Sequence, residues 1–189
     1  MLSHLTQIVR SVKTTMLLAS PVTWQLVATM TKTILDPASS TRSFYFDKTD
    51  DRVLFGDIRE NETHLLTNNQ TIKIKPDMVM DFRDLPFENN KFETVIFDPP
   101  HRFNLSSESD FIKKYGSLDR ETWQDDLGKG FTECFRVLKK GGTLIFKWSE
   151  VSIPLKEILK LTNQKPVIGH PTGKRMGTHW VLFIKDNND

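Results

Sequence analysis

Val79-Met80-Asp81-Phe82-Arg83-Asp84-Leu85-Pro86-Phe87 and, a few residues on, Thr94-Val95-Ile96-Phe97-Asp98-Pro99-Pro100-His101 are the stretches that decide how the chain folds. Two short apolar runs each end in a carboxylate. A continuous apolar run of this length reads as a parallel strand buried on both faces. In open α/β sheets ligands sit beyond the carboxyl ends of such strands, so Asp81 and Asp98 are expected to face one crevice. The two prolines after Asp98 fix backbone torsions and remove two N–H donors. Because Asp98 and Pro99 each precede a proline, both are held extended. The expected result is a stiff turn that offers hydrogen-bond acceptors and few donors, which suits an amino group that must lose a proton.

On the N-terminal side, Thr33 to Asp36 reads as a first strand and Arg52 to Asp57 as a second. Asp57 lies about 20 residues beyond Asp36, the spacing at which a carboxylate meets a ribose diol or caps the next turn. Residues 60–76 are polar, with Asn68-Asn69 as a turn signal and alternation through Thr71-Ile72-Lys73-Ile74-Lys75, so a small hairpin is expected. Met78 to Asp81 is the third main strand and Thr94 to Asp98 the fourth. Asp119 is a candidate N-cap for a helix whose apolar face is Trp123, Leu127, Phe131, Cys134, Phe135 and Leu138, ended by Gly141-Gly142. Thr143 to Trp148 is the fifth strand, followed by a short helix near Pro154 carrying Leu155, Ile158 and Leu159. Pro166 to Ile168 and Trp180 to Ile184 are the last strands. The segment Gly169 to Gly177 between them lacks phosphate-loop spacing and reads as a basic hairpin turn. Seven strands with helices between most of them predict a three-layer α/β sheet.

The length of 189 residues fits one domain. A net charge of +2 excludes neither nucleic acid nor small-molecule partners, and 38 % hydrophobic residues suffice for a packed core. One cysteine, Cys134, excludes an internal disulfide and a cysteine-based zinc site, and the five histidines lack ligand spacing. No metal is expected. No apolar run reaches about 18 residues, so no membrane span is expected and the location is read as cytoplasmic. Residues 1–29 have no acidic side chain and many Ser and Thr. They read as a helical N-terminal extension with a faint likeness to a targeting segment, leaving residues 30–189 as the domain.

The turn Asp98-Pro99-Pro100-His101 resembles motif IV of the S-adenosylmethionine-dependent methyltransferases that modify exocyclic amines, with His101 where an aromatic ring is usual. Leu85-Pro86-Phe87 and Arg136-Val137-Leu138-Lys139-Lys140-Gly141-Gly142 are similar to class I methyltransferase segments. More narrowly, Phe46-Asp47-Lys48, Gly56-Asp57-Ile58-Arg59, Met80-Asp81-Phe82-Arg83 and Phe146-Lys147-Trp148 resemble small methyltransferase-like proteins of phages and prophages. The resemblance covers roughly residues 30 to 185. It implies the class I fold with an antiparallel last strand. It implies S-adenosylmethionine held by Asp36, Pro37, Ala38 and Ser39 of motif I, by Asp57 on the ribose, and by Asp81 and Phe82 near the adenine. Asp98, Pro99, Pro100 and His101 would carry the chemistry, with Arg102 on the substrate side; Lys147, Trp148 and Glu150, at the end of the fifth strand, are expected to point toward the same crevice and line its substrate side. Motif I departs from the family pattern: no glycine occurs between Asp36 and Gly56, and serine tolerates positive φ poorly.

Three functions stay open on the sequence. The favoured one is methylation of a nucleobase amine, adenine N6 first, in DNA or RNA, with Arg102, Lys113, Lys114, Lys174 and Arg175 on phosphates. The others are a methyltransferase-fold binding module without turnover, and methylation of a protein or small-molecule amine.

Overall fold

The computed structural model describes residues 32–103, 109–172 and 177–186. The chain divides into two units, Met1–Lys32 and Thr33–Asp189, and the strands and helices among the described residues belong to the second. The expectations for residues 1–29 and for Lys174 and Arg175 lie outside the described residues.

Among the described residues nine strands form, in chain order β1 (Ile34–Asp36), β2 (Val53–Asp57), β3 (Glu62–Leu65), β4 (Thr71–Ile74), β5 (Met78–Val79), β6 (Phe92–Phe97), β7 (Leu138–Ser149), β8 (Ile168–Thr172) and β9 (Thr178–Ile184). Seven make one sheet in the order β5-β2-β1-β6-β7-β9-β8, and β3-β4 is the expected hairpin. β1 pairs in parallel with both β2 and β6, and β6 with β7. β9, the last strand, runs antiparallel to β7 and β8. This is the α/β architecture the sequence implied. The parallel centre explains the unbroken apolar runs: all five residues of β2 are buried, and Leu35, Val95, Phe97, Leu144 and Phe146 are sealed from solvent. Among the described residues no helix is long and apolar enough to cross a membrane.

The α-helices among the described residues are α1 (Asp110–Tyr115), α2 (Trp123–Val137) and α3 (Leu155–Ile158). They follow β6 and β7, whereas a loop joins β1 to β2 and the β3-β4 hairpin joins β2 to β5, so the described sheet has fewer crossover helices than the sequence suggested. α2 buries Leu127, Phe131, Cys134 and Phe135, the face read from the helical period. Gly130 lets it close on the sheet, since a Cβ there would stand 2.6 Å from the Phe97 ring and 2.8 Å from that of Phe82. The two motif segments are tied to each other: Arg136 donates to the carbonyls of Phe87 (2.6 Å) and Leu85 (2.8 Å), and Glu133 accepts the Leu85 N–H at 2.7 Å.

Four boundaries differ from expectation. α2 begins at Trp123, not after Asp119, whose carboxylate instead accepts the Glu121 N–H (2.7 Å) in a preceding turn. It ends at Val137, because Leu138 already pairs with Phe92 of β6. Gly141 and Gly142 therefore lie inside β7. Gly141 takes φ 72°, and a Cβ on Gly142 would meet the Lys139 and Glu93 carbonyls within 3 Å. β5 stops at Val79, because Asp81 accepts the Arg83 N–H and bridges Asp84, which turns the chain. The strand expected at Pro166–Ile168 runs instead from Ile168 to Thr172, where its pairing with β9 places it at the edge of the sheet.

Candidate active site

The strand order reverses between β1 and β6, and the crevice at such a reversal is where α/β sheets bind ligands. A cavity of about 210 Å³ opens there, lined among others by Ala38, Ser40, Asp57, Ile58, Phe82 and Asp98. Tyr115 at the end of α1 and Gly116 to Asp119 after it form another of its walls. Clefts for drug-sized ligands span roughly 300–1,000 Å³, and this cavity is smaller.

The loop after β1 solves the missing-glycine problem with other residues. Ser40 and Arg42 adopt left-handed φ values of 48° and 54°. That strain is held by tertiary bonds. The Ser40 N–H donates to Asp57 Oδ2 (3.0 Å), and its hydroxyl donates to the Lys114 carbonyl. The Arg42 guanidinium donates to the carbonyls of Lys48 and Lys75 and to Asp77, and lies 3.9 Å above the Phe55 ring. Pro37, Ala38 and Ser40 reach the cavity. Ser39 does not line it; its side chain is buried, with an unpartnered hydroxyl.

Asp36 is fully buried beneath this loop. It accepts the Tyr45 hydroxyl (2.8 Å) and the Ala38 N–H (3.2 Å). Its position is thus that of a loop anchor, away from the open cavity. Burial pushes its carboxyl up to about 7, against the hydrogen bonds of Tyr45 and Ala38. Between the ordinary carboxylate range and pH 7 the folded state therefore holds a proton at Asp36 that the unfolded chain has released. Stability from this group is present at low pH and lost as pH rises through about 7. His101 acts oppositely over part of that range, because burial and the Lys147 charge pull it down to about 4. A comparison with Asp36→Asn separates the two: relative to wild type, the variant is expected to gain stability from pH 4 to 8 in denaturant titrations. An unchanged difference across that range rejects the buried-acid assignment.

Asp57 sits at the end of β2 with its carboxylate fully engaged. Arg59 donates to it through its backbone N–H, Nε and Nη2 (3.0, 2.8 and 2.9 Å), and Ser40 supplies the fourth bond. The same guanidinium donates through Nη1 to the Lys113 and Lys114 carbonyls at the end of α1. Arg59 therefore clamps the cavity wall to the β2 carboxylate. Asp81 is likewise held by Arg83, which also bonds Asp126 of α2 at 2.9 Å. Arg83 draws the Asp81 carboxyl below its ordinary range. Phe82 stands beside it as an apolar wall.

Asp98 emerges from β6 with its side chain almost wholly buried. Oδ2 accepts from Lys147 Nζ at 2.6 Å. Oδ1 is buried and has no partner. Burial raises the Asp98 carboxyl, and the Lys147 charge and hydrogen bond pull it back. Pro100 lines the cavity. The Pro99 carbonyl hydrogen-bonds the His101 ring, which is kept neutral and packs against Phe111 (5.1 Å), Trp148 (6.1 Å) and Tyr115 (6.4 Å). Arg102 lies 4.2 Å over Phe111, with a buried, unpartnered Nε. Trp148, expected on the substrate side, is a core residue instead. It is fully buried, and its indole N–H donates to the Ile153 carbonyl at 2.9 Å. Strand alternation sends Lys147 to the crevice and Trp148 to the other face.

Sequence reasoning gave no role to Tyr45, Phe44, Trp180 or Arg83. Phe44 and Trp180 pack edge to face at 5.4 Å, and the Lys147 ammonium lies 5.3 and 5.8 Å from their rings. The register of β7 on β9, which pairs Lys147 with Trp180, is the signal that would have found them. Among the described residues no group of His, Cys, Asp or Glu side chains is arranged to hold a metal ion.

No protein-family model and no curated protein matches the chain. Solved structures do. The PH0226 protein from Pyrococcus horikoshii OT3 superposes with a TM-score of 0.53 at 16 % identity, over 81 % of each chain. A SAM-dependent methyltransferase from Methanosarcina mazei gives 0.51 at 11 % identity, over 89 % of this chain and 98 % of that one. A TehB-like SAM-dependent methyltransferase from Corynebacterium glutamicum gives 0.51 at 12 %, over 97 % and 99 %. At these identities the likeness establishes the fold, that of the class I methyltransferases.

Proposed function

We propose that this domain is an S-adenosylmethionine-dependent N-methyltransferase acting on an exocyclic amine of a nucleobase in DNA or RNA, adenine N6 before cytosine N4. The observation that carries the reading is Asp98 Oδ1, a buried acceptor without a donor at the mouth of the strand-order reversal. A buried carboxylate oxygen left bare costs free energy, and an amine N–H offsets that cost. Residues suited to the cofactor surround the same cavity. Asp57 stands where a ribose diol binds, Ile58 and Phe82 are apolar walls for a flat ring beside Asp81, and Pro37, Ala38 and Ser40 allow close backbone approach. When bound, S-adenosylmethionine supplies the electrophilic methyl. Asp98 and the Pro99 carbonyl accept the amine's N–H groups and aim its lone pair, and neutral His101 gives the base a surface to stack on. Since the amine is occupied in a duplex, the substrate is single-stranded or locally opened. Arg102, next after His101 on the turn, is a phosphate-binding candidate.

The test is transfer of labelled methyl from the cofactor to single-stranded DNA, duplex DNA, RNA and a metabolite pool, followed by nucleoside analysis. Label confined to protein or metabolite would overturn the nucleobase assignment while keeping the N-methyltransferase.

A binding module without turnover is favoured by one observation, the saturation of Asp57 by Arg59 and Ser40. Cofactor calorimetry separates the two. Under the enzyme reading the cofactor binds at micromolar affinity, and Asp57→Ala weakens it roughly tenfold or more, the worth of a hydrogen bond to a charged group. No heat and no thermal shift at about millimolar cofactor would leave only the binding module.

A further inference from the structure

We propose that Lys147 is a positioning residue of the transfer site: its ammonium occupies Asp98 Oδ2 and leaves Oδ1 as the one open oxygen of that carboxylate for the substrate amine. This rests on the reading of Asp98 as the amine acceptor. Three observations converge. The Lys147–Asp98 contact is 2.6 Å and links β7 to the end of β6, so one oxygen is taken. The other oxygen is buried and bare. The ammonium is itself steered, with the rings of Phe44 and Trp180 on its far side at 5.3 and 5.8 Å. Aromatic faces attract a cation but offer no lone-pair acceptor, so the Asp98 carboxylate is what fixes the direction of the ammonium.

The step it serves balances in atoms and electrons. The amine lone pair forms the N–C bond, the C–S bond breaks with its electron pair going to sulfur, and the new ammonium releases one proton. A carboxylate at Oδ1 accepts the N–H before transfer and can take that proton after it. A protonated Asp98 presents a donor to the amine and does neither. Lys147 secures the ionised form within a site that otherwise opposes it. The other groups in the field of Asp98 are Asp36 at the end of β1 and Tyr45 on the loop that follows it, while His101 and Arg102, next along the turn, face each other and Lys147. Asp36 is an acid in the same field, Tyr45 is neutral, and His101 is neutral above about pH 4. Lys147 is therefore the cation in direct contact.

The experiment uses Lys147→Met, which keeps the stem without the charge, and Lys147→Arg, which keeps the charge. The Asp98 carboxyl is followed by carbon-13 NMR titration in the full chain, which needs no substrate. Lys147→Met is expected to move the Asp98 midpoint upward by roughly 1–3 pH units, the effect of an adjacent opposite charge, and Lys147→Arg to restore it. With an amine substrate, the acidic limb of kcat/KM should move up by the same amount in Lys147→Met. Activity at pH 7 should fall about tenfold or more, with partial recovery at pH 9 and unchanged cofactor affinity. An Asp98 midpoint equal in wild type and Lys147→Met overturns the proposal, as does an unmoved acidic limb. If Lys147→Met does not fold, Lys147→Gln carries the same comparison. A shifted midpoint in a protein that methylates no amine would instead overturn the functional reading on which the proposal rests.

Discussion

Asp98→Ala is expected to lower methyl transfer by roughly 10²–10⁴-fold, the range for removing a positioned proton acceptor, with little change in fold or cofactor affinity. The separation follows from where the side chain sits. Asp98 is a buried carboxylate whose ionised form burial opposes, so its removal relieves a cost as well as losing the Lys147 contact. Lys147 keeps the flanking rings of Phe44 and Trp180 and retains some solvent exposure, so no charge is stranded. The other cavity-lining carboxylates, Asp57 and Asp81, are held by Arg59 and Arg83 independently of Asp98. Single-turnover rates, calorimetry and a thermal melt read the three quantities separately. Asp98→Asn sharpens the test. Lys147 would claim the amide carbonyl, and the NH₂ would then face the incoming amine, donor against donor. It is expected to be as impaired as alanine, and wild-type turnover in either variant would remove Asp98 from the chemistry.

The same residues show what a sequence can disclose. The strands of the α/β sheet were legible because seven apolar runs have punctuated ends, and the run into Asp98-Pro99-Pro100 is local information, whereas the strand order came only with the structure. The pairing of the carboxylates was not. Asp36, Asp57, Asp81 and Asp98 all look alike as strand-end acids, and each is settled by a different partner. Arg59 and Arg83 lie two residues from theirs and are close to readable. Tyr45, Ser40 and Lys147 reach theirs only after the chain has folded back across a loop or the sheet. That is why Asp36 reads as a cofactor ligand in sequence yet lies under the loop as an anchor. The glycine-free motif I reads as a defect for a related reason. The left-handed φ of Ser40 is held by Asp57 and Lys114, which are distant in sequence. Trp148 was misplaced by a simpler limit, since alternation fixes which of two neighbours faces the crevice only once one of them is located.

Phe97→Ala is expected to destabilise the domain by about 3–5 kcal/mol, the cost of a large aromatic truncation in a packed core. The ring is fully buried and meets Phe82 at 5.3 Å, Phe131 at 5.5 Å and Phe146 at 5.8 Å. It therefore joins the wall of the cavity, α2 and β7 at the residue directly before Asp98. Because interiors are close-packed, a void there lets the turn move, so transfer should fall more than cofactor binding in any preparation that remains folded. Gly130 supplies an internal control. A Cβ at Gly130 would stand 2.6 Å from the Phe97 ring, so Gly130→Ala in wild type sets a steric clash against a gain in helix propensity of about 1 kcal/mol, and the clash should win. With Phe97 truncated, the clash with that ring disappears and only Phe82, at 2.8 Å and partly exposed, must give way. Denaturant titrations of the two single variants and the double variant form a cycle. The double variant is expected to be more stable than the sum of the single effects predicts. Strict additivity would mean that Gly130 does not pack α2 onto Phe97, and the close approach of that helix to the end of β6 would have to be explained by some other contact.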